Sequence, residues 1–203
     1  MNKKLILIGA SGQGKVIADI ARKNGYTEIG FLDDNETVTT CAGYPVLGRT
    51  DDIAHFADCE FIVSIGNAQV RQRLQEHLEK ENLLIATLIH PSAVIADGVE
   101  IGKGSVIMAG AVVNPCTVIG CGCIINTCAS VDHDCILEDY VHVSVGAHVA
   151  GTVRIGNRTW IGAGATVSNN VEIIQDCMIG AGAVVVKNIT QKGTYIGVPA
   201  RCN

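Results

Sequence analysis

"VIGCGC IINTCA SVDHDC ILEDYV HVSVGA HVAGTV" covers residues 118–153, written in steps of six. The second residue of every step is Ile, Val or Leu. Extended both ways, the rule holds from Ile89 to Val185 without exception, which makes seventeen repeats. The sixth residue is nearly always small or β-branched. A helix cannot keep a period of six on one face, but short strands joined by turns can. Alternate residues of a strand share a face, so the aliphatic residue and the small residue two places before it point inward. The residue between them points out. The remaining positions are rich in Gly, Asn and Asp, which tolerate tight turns. Three sides close a triangular coil of 18 residues, and stacked coils about 4.8 Å apart make a parallel β-solenoid. Cys123, Cys135 and Cys177 fall at sixth positions and read as small core fillers.

This pattern resembles the hexapeptide-repeat family, and the resemblance implies a left-handed parallel β-helix and a trimer. Most members are acyltransferases that use acetyl-CoA. Carbonic anhydrases and non-catalytic proteins share the fold, so the prism alone does not choose a function.

Composition narrows the classes. Hydrophobic residues are 48% and charged residues 17%, which favours a well-buried globular protein. A net charge of −5 without a basic stripe argues against nucleic acid or an anionic membrane as partner. Aromatic residues are 4%, too few for a base-stacking platform. The opening "MNKKLILIGASGQGK" has too short an apolar run for a secretory signal. It reads as a first strand and a glycine-rich turn. No apolar stretch reaches membrane-spanning length. Nine cysteines, an odd count without a CxxC pair, point to reduced thiols and a cytoplasmic protein.

Residues 1–87 lack the six-residue period, and 88–203 form the repeat domain with its tail. Strand and helix patterns alternate in the first part: "KLILIGA", a helix from about Gly14 to Lys23, "EIGFLDD", "PVLG", a short helix near "TDDIAHFA", "EFIVSIGN", a long helix "AQVRQRLQEHLEKEN" and "LIATLIH". Such alternation predicts a small Rossmann-like parallel sheet. The turn "GASGQGK" is G-x-x-G-x-G, so it is a weak dinucleotide signal, and it is not a Walker A loop. Its helix start suits a phosphate near Ser11, Gly12 and Gln13. Asp33 and Asp34 end the second strand, where carboxylates suit a ribose or base. Gly66 and Asn67 end another strand at the same edge, with Asn67 as a helix N-cap. Tight turns alone would explain the same glycines. Three strand ends on one edge favour a mononucleotide or nucleotide sugar over NAD.

The repeat gives each histidine a direction. His133 lies on a corner between Asp132 and Asp134. His142 and His148 precede inward valines and so point outward, as exposed or interface residues. His133 and His142 are nine residues apart, half a coil, so they meet only across a subunit boundary. A histidine oriented by a carboxylate suits a general base. A solvated turn histidine is the bland reading. A three-histidine metal site, as in a carbonic anhydrase, is the sharper alternative and ranks below acyl transfer, because the aspartates suit a base better than a ligand shell.

Over the whole chain, "GASGQGK…FLDD…IGN", "NTCASVDHDC", "YVHVSVGAHVAG" and "GVPAR" are similar to bacterial nucleotide-sugar acetyltransferases. The UDP-4-amino-sugar N-acetyltransferases, GDP-perosamine N-acetyltransferases and sialic-acid O-acetyltransferases are its branches. The resemblance implies acetyl-CoA as cosubstrate, no metal, and a homotrimer with intersubunit sites. It implies a UDP-amino sugar or another nucleotide sugar as acceptor. His133 becomes the base and Asp134 its partner. His142, Gly151, Ala163, Gly164 and Ala181 would contact acetyl-CoA. Ser11, Gly12, Gln13, Asp33, Asp34, Gly66, Asn67 and Asn126 would contact the sugar nucleotide. O-acetylation of sialic acid is the runner-up.

Overall fold

The computed structural model describes residues 3–203; Met1 and Asn2 lie outside the described residues. The chain divides into two compact units, one running to Pro91 and one spanning Ser92–Asn203. The division falls four residues later than the change of period at residue 88. The amide of Asn24 explains this, since it donates to the Ile89 carbonyl at 2.8 Å and accepts from the Ile89 N–H at 3.3 Å.

The first unit carries β1 (Lys3–Ile8), α1 (Gly12–Lys23), β2 (Tyr26–Leu32), β3 (Thr40–Cys41), β4 (Tyr44–Gly48), β5 (Glu60–Val63), α2 (Ala68–Lys80) and β6 (Leu84–Ile85). A 3₁₀ turn at Asp52–Phe56 fills the connection before β5. The sheet order is β3-β4-β2-β1-β5-β6. Strands β4, β2, β1, β5 and β6 run parallel, as the alternation predicts. The edge differs from that expectation: β3 pairs antiparallel with β4. Ala42 and Gly43 join them with φ of 51° and 82°, the left-handed pair that a two-residue hairpin needs. Helix α1 begins two residues earlier than its sequence pattern. Gly14 allows this, because a Cβ there would stand 2.6 Å from the Gly9 carbonyl oxygen and 2.9 Å from the Phe31 ring.

The second unit is a left-handed parallel β-helix of two-residue strands. From Val94 to Thr166 each strand pairs with the one 18 residues on, as Val112 with Ser130, Ser130 with His148, Ile124 with His142 and His142 with Trp160. At the C-terminal end the register shortens, Met178 pairing with Thr194, and Tyr195 and Ile196 pair antiparallel with Cys202 and Arg201. One face holds the column 124–142–160–178, a second holds 112–130–148–166–184, and a third holds 118–136–154–172. The inward residues from Ile107 to Val185 are at most 2% exposed. The fifth residue of each repeat from Gly98 to Gly182 has φ between 55° and 76°. Ten glycines or Asp/Asn residues would suit these corners, yet Cys116, Cys128, Tyr140, Thr152 and Arg158 also adopt the conformation.

Sixth-position side chains do more than fill space. Ser105, Thr117 and Thr159 donate to carbonyls fifteen residues later, those of Gly120, Asp132 and Ile174. Cys123 and Cys135 do the same with their thiols, to Glu138 and Ala150. The buried cysteines are therefore fillers that also brace turn carbonyls.

Candidate active site

At the corner after the second face, three residues of one coil stack over three of another. Asn114 Nδ2 donates to Asp132 Oδ1 at 2.7 Å, and that oxygen also accepts the His133 N–H at 2.8 Å. Asp134 N donates to the Pro115 carbonyl. Thr117 and Cys135 hold the Asp132 and Ala150 carbonyls from inside. The corner is thus fixed from both sides before any ligand arrives.

His133 Nδ1 lies 2.7 Å from Asp134 Oδ2. Asp134 has φ of 55°, a left-handed conformation that aspartate tolerates better than most residues. The hydrogen bond to Asp134 raises the His133 pKa above the usual histidine value, and the charges of Asp132 and Asp134 add to it against partial desolvation. The Asn114 amide and the His133 N–H hold Asp132 below the usual aspartate range. With Nδ1 bound to a carboxylate, Nε2 is the nitrogen left for proton transfer. It points at Gly151, where a Cβ would come within 2.6 Å of it. The stacking of Gly151 over His133, read from the 18-residue coil, is therefore a close contact in which only glycine leaves the ring in place.

The raised pKa sets a pH dependence. A base must be neutral to act, so kcat/KM falls as pH drops through the raised His133 pKa. Asp134→Asn removes the largest cause of that rise. Its acid limb should move to lower pH, while the maximum rate drops because the ring loses its orienting partner. A pH–rate profile of both proteins checks the direction; an acid limb that stays put would separate Asp134 from the ionisation.

His142 differs from its sequence reading. Its first-position side chain leaves the barrel outward, but it is only 5% exposed. The Trp160 ring from the next coil stacks on it, with centroids 4.7 Å apart and planes at 29°. Trp160 is held in turn by its indole N–H on Ser144 Oγ. Asn126 Oδ1 accepts the Thr127 N–H, so Asn126 Nδ2 faces His142 Nε2 at 3.1 Å. The Asn126 amide is thereby turned with its N–H group toward the ring. Asn126, expected on the acceptor side, is here the residue that sets the His142 ring. A sequence cue existed in the column 124–142–160, which puts a tryptophan one coil above the histidine.

The remaining residues fall into groups. Ala163, Gly164 and Ala181 are exposed at the corner that follows the His142 face. Gly164 and Gly182 donate to the carbonyls of Val145 and Ala163, which stacks them in one line. His133, Asp134 and Gly151 occupy the next corner. One chain therefore splits the expected acetyl-CoA contacts between two corners. His148 takes a third arrangement, with Nδ1 at 2.8 Å from Ser130 Oγ. Each of the three histidines has its own partners, and among the described residues no group of three or more His, Cys, Asp or Glu gathers as a metal site. Cys116 is exposed at the same corner, one coil before Asp134.

In the first unit, Asp33 and Asp34 separate. Asp33 accepts from Ala10 N at 2.6 Å and Asn35 N at 2.8 Å, so it fastens the β1–α1 turn. Asp34 binds the N–H and hydroxyl of Thr50, which lower its pKa, with Arg49 and Arg73 assisting. It lines a recess of about 320 Å³ with Thr50, Arg73 and His77. Gly12 and Gly66 have nothing within 4 Å of where a Cβ would stand, unlike Gly14. Ser11 makes no side-chain cap, and the first turn of α1 carries no acidic residue. The Gln13 Nε2 is buried without a protein hydrogen-bond partner. Asn67 caps α2 as expected, accepting from Val70 N at 3.0 Å. Arg71, 1% exposed, binds the carbonyls of Ile65 and Gly66 and holds the loop they form. Its spacing from Ala68, Leu74 and Leu78 puts it on the buried face of α2, but the carbonyls it binds are not legible in the sequence.

Two domain families match the chain. Residues 4–78 match the PglD N-terminal domain, and residues 86–115 and 152–187 match the bacterial transferase hexapeptide of six repeats. The acetyltransferase domain of PglB from Neisseria gonorrhoeae FA1090, solved in complex with acetyl coenzyme A, is 40% identical, covers all of both chains and superposes with a TM-score of 0.96. The chain belongs to the hexapeptide-repeat nucleotide-sugar acetyltransferase family. The GDP-perosamine N-acetyltransferase of Escherichia coli O157:H7 is 31% identical over 77% of this chain and 74% of its own length. The UDP-N-acetylbacillosamine N-acetyltransferase of Bacillus subtilis (strain 168) is 35% identical over 52% of this chain and 51% of its own length, so the match spans about half of that relative. No helix among the described residues is long and apolar enough to cross a membrane.

Proposed function

We propose that this protein transfers the acetyl group of acetyl-CoA to the amine of a nucleotide-linked amino sugar, with His133 as general base. The observation that carries the reading is the His133 ring, tied at Nδ1 to Asp134 and facing the bare backbone of Gly151 with Nε2. The names of two family members, acting on UDP- and GDP-linked sugars, support the substrate class. Acetyl-CoA in the gonococcal domain supports the donor.

In this mechanism the neutral amine attacks the thioester carbonyl while Nε2 takes its proton. The charge that forms on the carbonyl oxygen is steadied by a backbone N–H at Gly151 or by His142. Collapse of the tetrahedral species breaks the C–S bond, and the proton on His133 returns to the leaving thiolate. Asp134 stabilises the imidazolium between the two steps. The first unit takes the nucleotide, with Ser11, Gly12, Gln13, Gly66 and Asn67 near the phosphates and Asp33 and Asp34 toward ribose or base. The prism takes acetyl-CoA. Nine free cysteines suit a reducing cytoplasm. The deciding experiment incubates the protein with acetyl-CoA and UDP-, GDP-, CMP- and dTDP-linked amino sugars and follows thiol release. Turnover with none of them sinks the reading.

The split of the acetyl-CoA residues between two corners leads us to a homotrimer with shared sites. His133 and Gly151 of one protomer would face His142, Ala163 and Ala181 of its neighbour. Hybrid trimers of His133→Ala and His142→Gln chains should then recover part of the activity that each parent lacks. Dead hybrids from two dead parents would remove the shared site.

A further inference from the structure

One cluster beside the base has no part in that mechanism. A recess of about 250 Å³ opens on the second face, lined by Asn114, Ser130, Asp132, His148, Ala150 and Thr166. It shares Asp132 with the base corner, and Ala150 precedes the glycine that faces Nε2. The columns explain why these groups meet. Ser130, His148 and Thr166 are successive first-position residues, and Asn114, Asp132 and Ala150 are successive third-position residues, all on one face.

From this placement we infer that the recess holds the sugar ring of the acceptor and presents its amine to His133. The inference rests on the acyl-transfer reading above. Its size falls below the roughly 300–1,000 Å³ of pockets that take drug-sized ligands, so it suits a single ring. Its chemistry is that of carbohydrate binding: two hydroxyls, an imidazole, a carboxamide and a carboxylate. A pyranose both donates and accepts, and these groups offer both. The Ser130 bond to Nδ1 locks the His148 ring, leaving Nε2 to meet a sugar hydroxyl. Asp132, held anionic, meets the charged form of the amine before it loses its proton. A pantetheine arm would use little of this, because its amide groups are few and its chain is mostly apolar.

Two-substrate kinetics test the assignment, using the amino-sugar nucleotide that the wild-type protein turns over fastest. His148→Ala and Ser130→Ala should each raise the KM for that acceptor about tenfold or more, the usual result of losing a hydrogen bond to a buried polar ligand group. The KM for acetyl-CoA should hold, and His148→Gln should recover part of the loss. Both side chains lie at the surface of the fold, and melting curves confirm that the variants are intact. An unchanged acceptor KM in both variants overturns the proposal. So does a rise confined to acetyl-CoA, which would give the recess to the cosubstrate, or dissociation of the oligomer, which would make it a packing surface. If the wild-type protein acetylates no amino-sugar nucleotide, the parent reading falls and takes the recess with it; altered or unaltered KM values in an active enzyme judge the recess alone.

Discussion

His133→Ala is expected to lower kcat by about 10²–10⁴-fold, the range for loss of a general base. The fold should not notice. The side chain is 57% exposed, and its one side-chain partner, Asp134, is equally open to water. The corner is held by groups that the substitution leaves alone: Thr152 N on the His133 carbonyl, Asp134 N on the Pro115 carbonyl, and Thr117 beneath Asp132. Thiol release measures the rate, and thermal melting with a mass measurement checks fold and assembly. Near wild-type turnover in a folded variant would take His133 out of the mechanism.

Gly151→Val is the second large effect, and it requires no lost chemistry. A Cβ at this position would lie 2.6 Å from Nε2, 2.7 Å from Cε1 and 3.2 Å from Cδ2 of His133. Contacts under 3 Å are repulsive, so the ring must swing away and break its bond to Asp134. A base displaced by about 1 Å can cost on the order of 10²-fold in rate. Melting should change little, because the ring can move into solvent and Gly151 needs no left-handed conformation. A double-mutant cycle makes the cause specific. In a His133→Ala background, Gly151→Val should cost almost nothing further, since two residues acting through one ring are not additive. An additive loss would mean that Gly151 acts apart from His133, through the acetyl-CoA contact alone.

The period of six carries much of this architecture. It puts Ile107 through Val185 inward, and it places Gly151 over His133 by counting alone. Lateral partnerships are a different matter. His142 points outward by its position, yet Trp160 and Asn126 enclose it, because a neighbour 16 or 18 residues away can lean over a column. The rotamers that decide this have no period. In the first unit the strand ends at Asp33 and Asp34 are legible, but the opposite directions of the two carboxylates are not. One caps a turn and the other crosses to Thr50, and both choices depend on loop backbone rather than on pattern. Arg71 is the extreme case: a buried cation that binds two carbonyls of the loop before its helix. The helical spacing in "AQVRQRLQ" separates it from the exposed Arg73, but no pattern names the carbonyls it binds.

The 18-residue register also decides how such a molecule can change length. Removing one whole coil above Gly151, or adding one below Asn114, leaves every surviving column in step. A single residue inserted in a strand between Cys135 and Ala150 does the opposite. It turns each later side chain to the wrong face, takes the glycine off the histidine, and unpairs Cys135 from its carbonyl. Tolerated single insertions must therefore bulge outward at a corner, where a loop can grow without shifting the ladder. Length in this prism comes in complete turns, and the His133 corner travels with them as a unit.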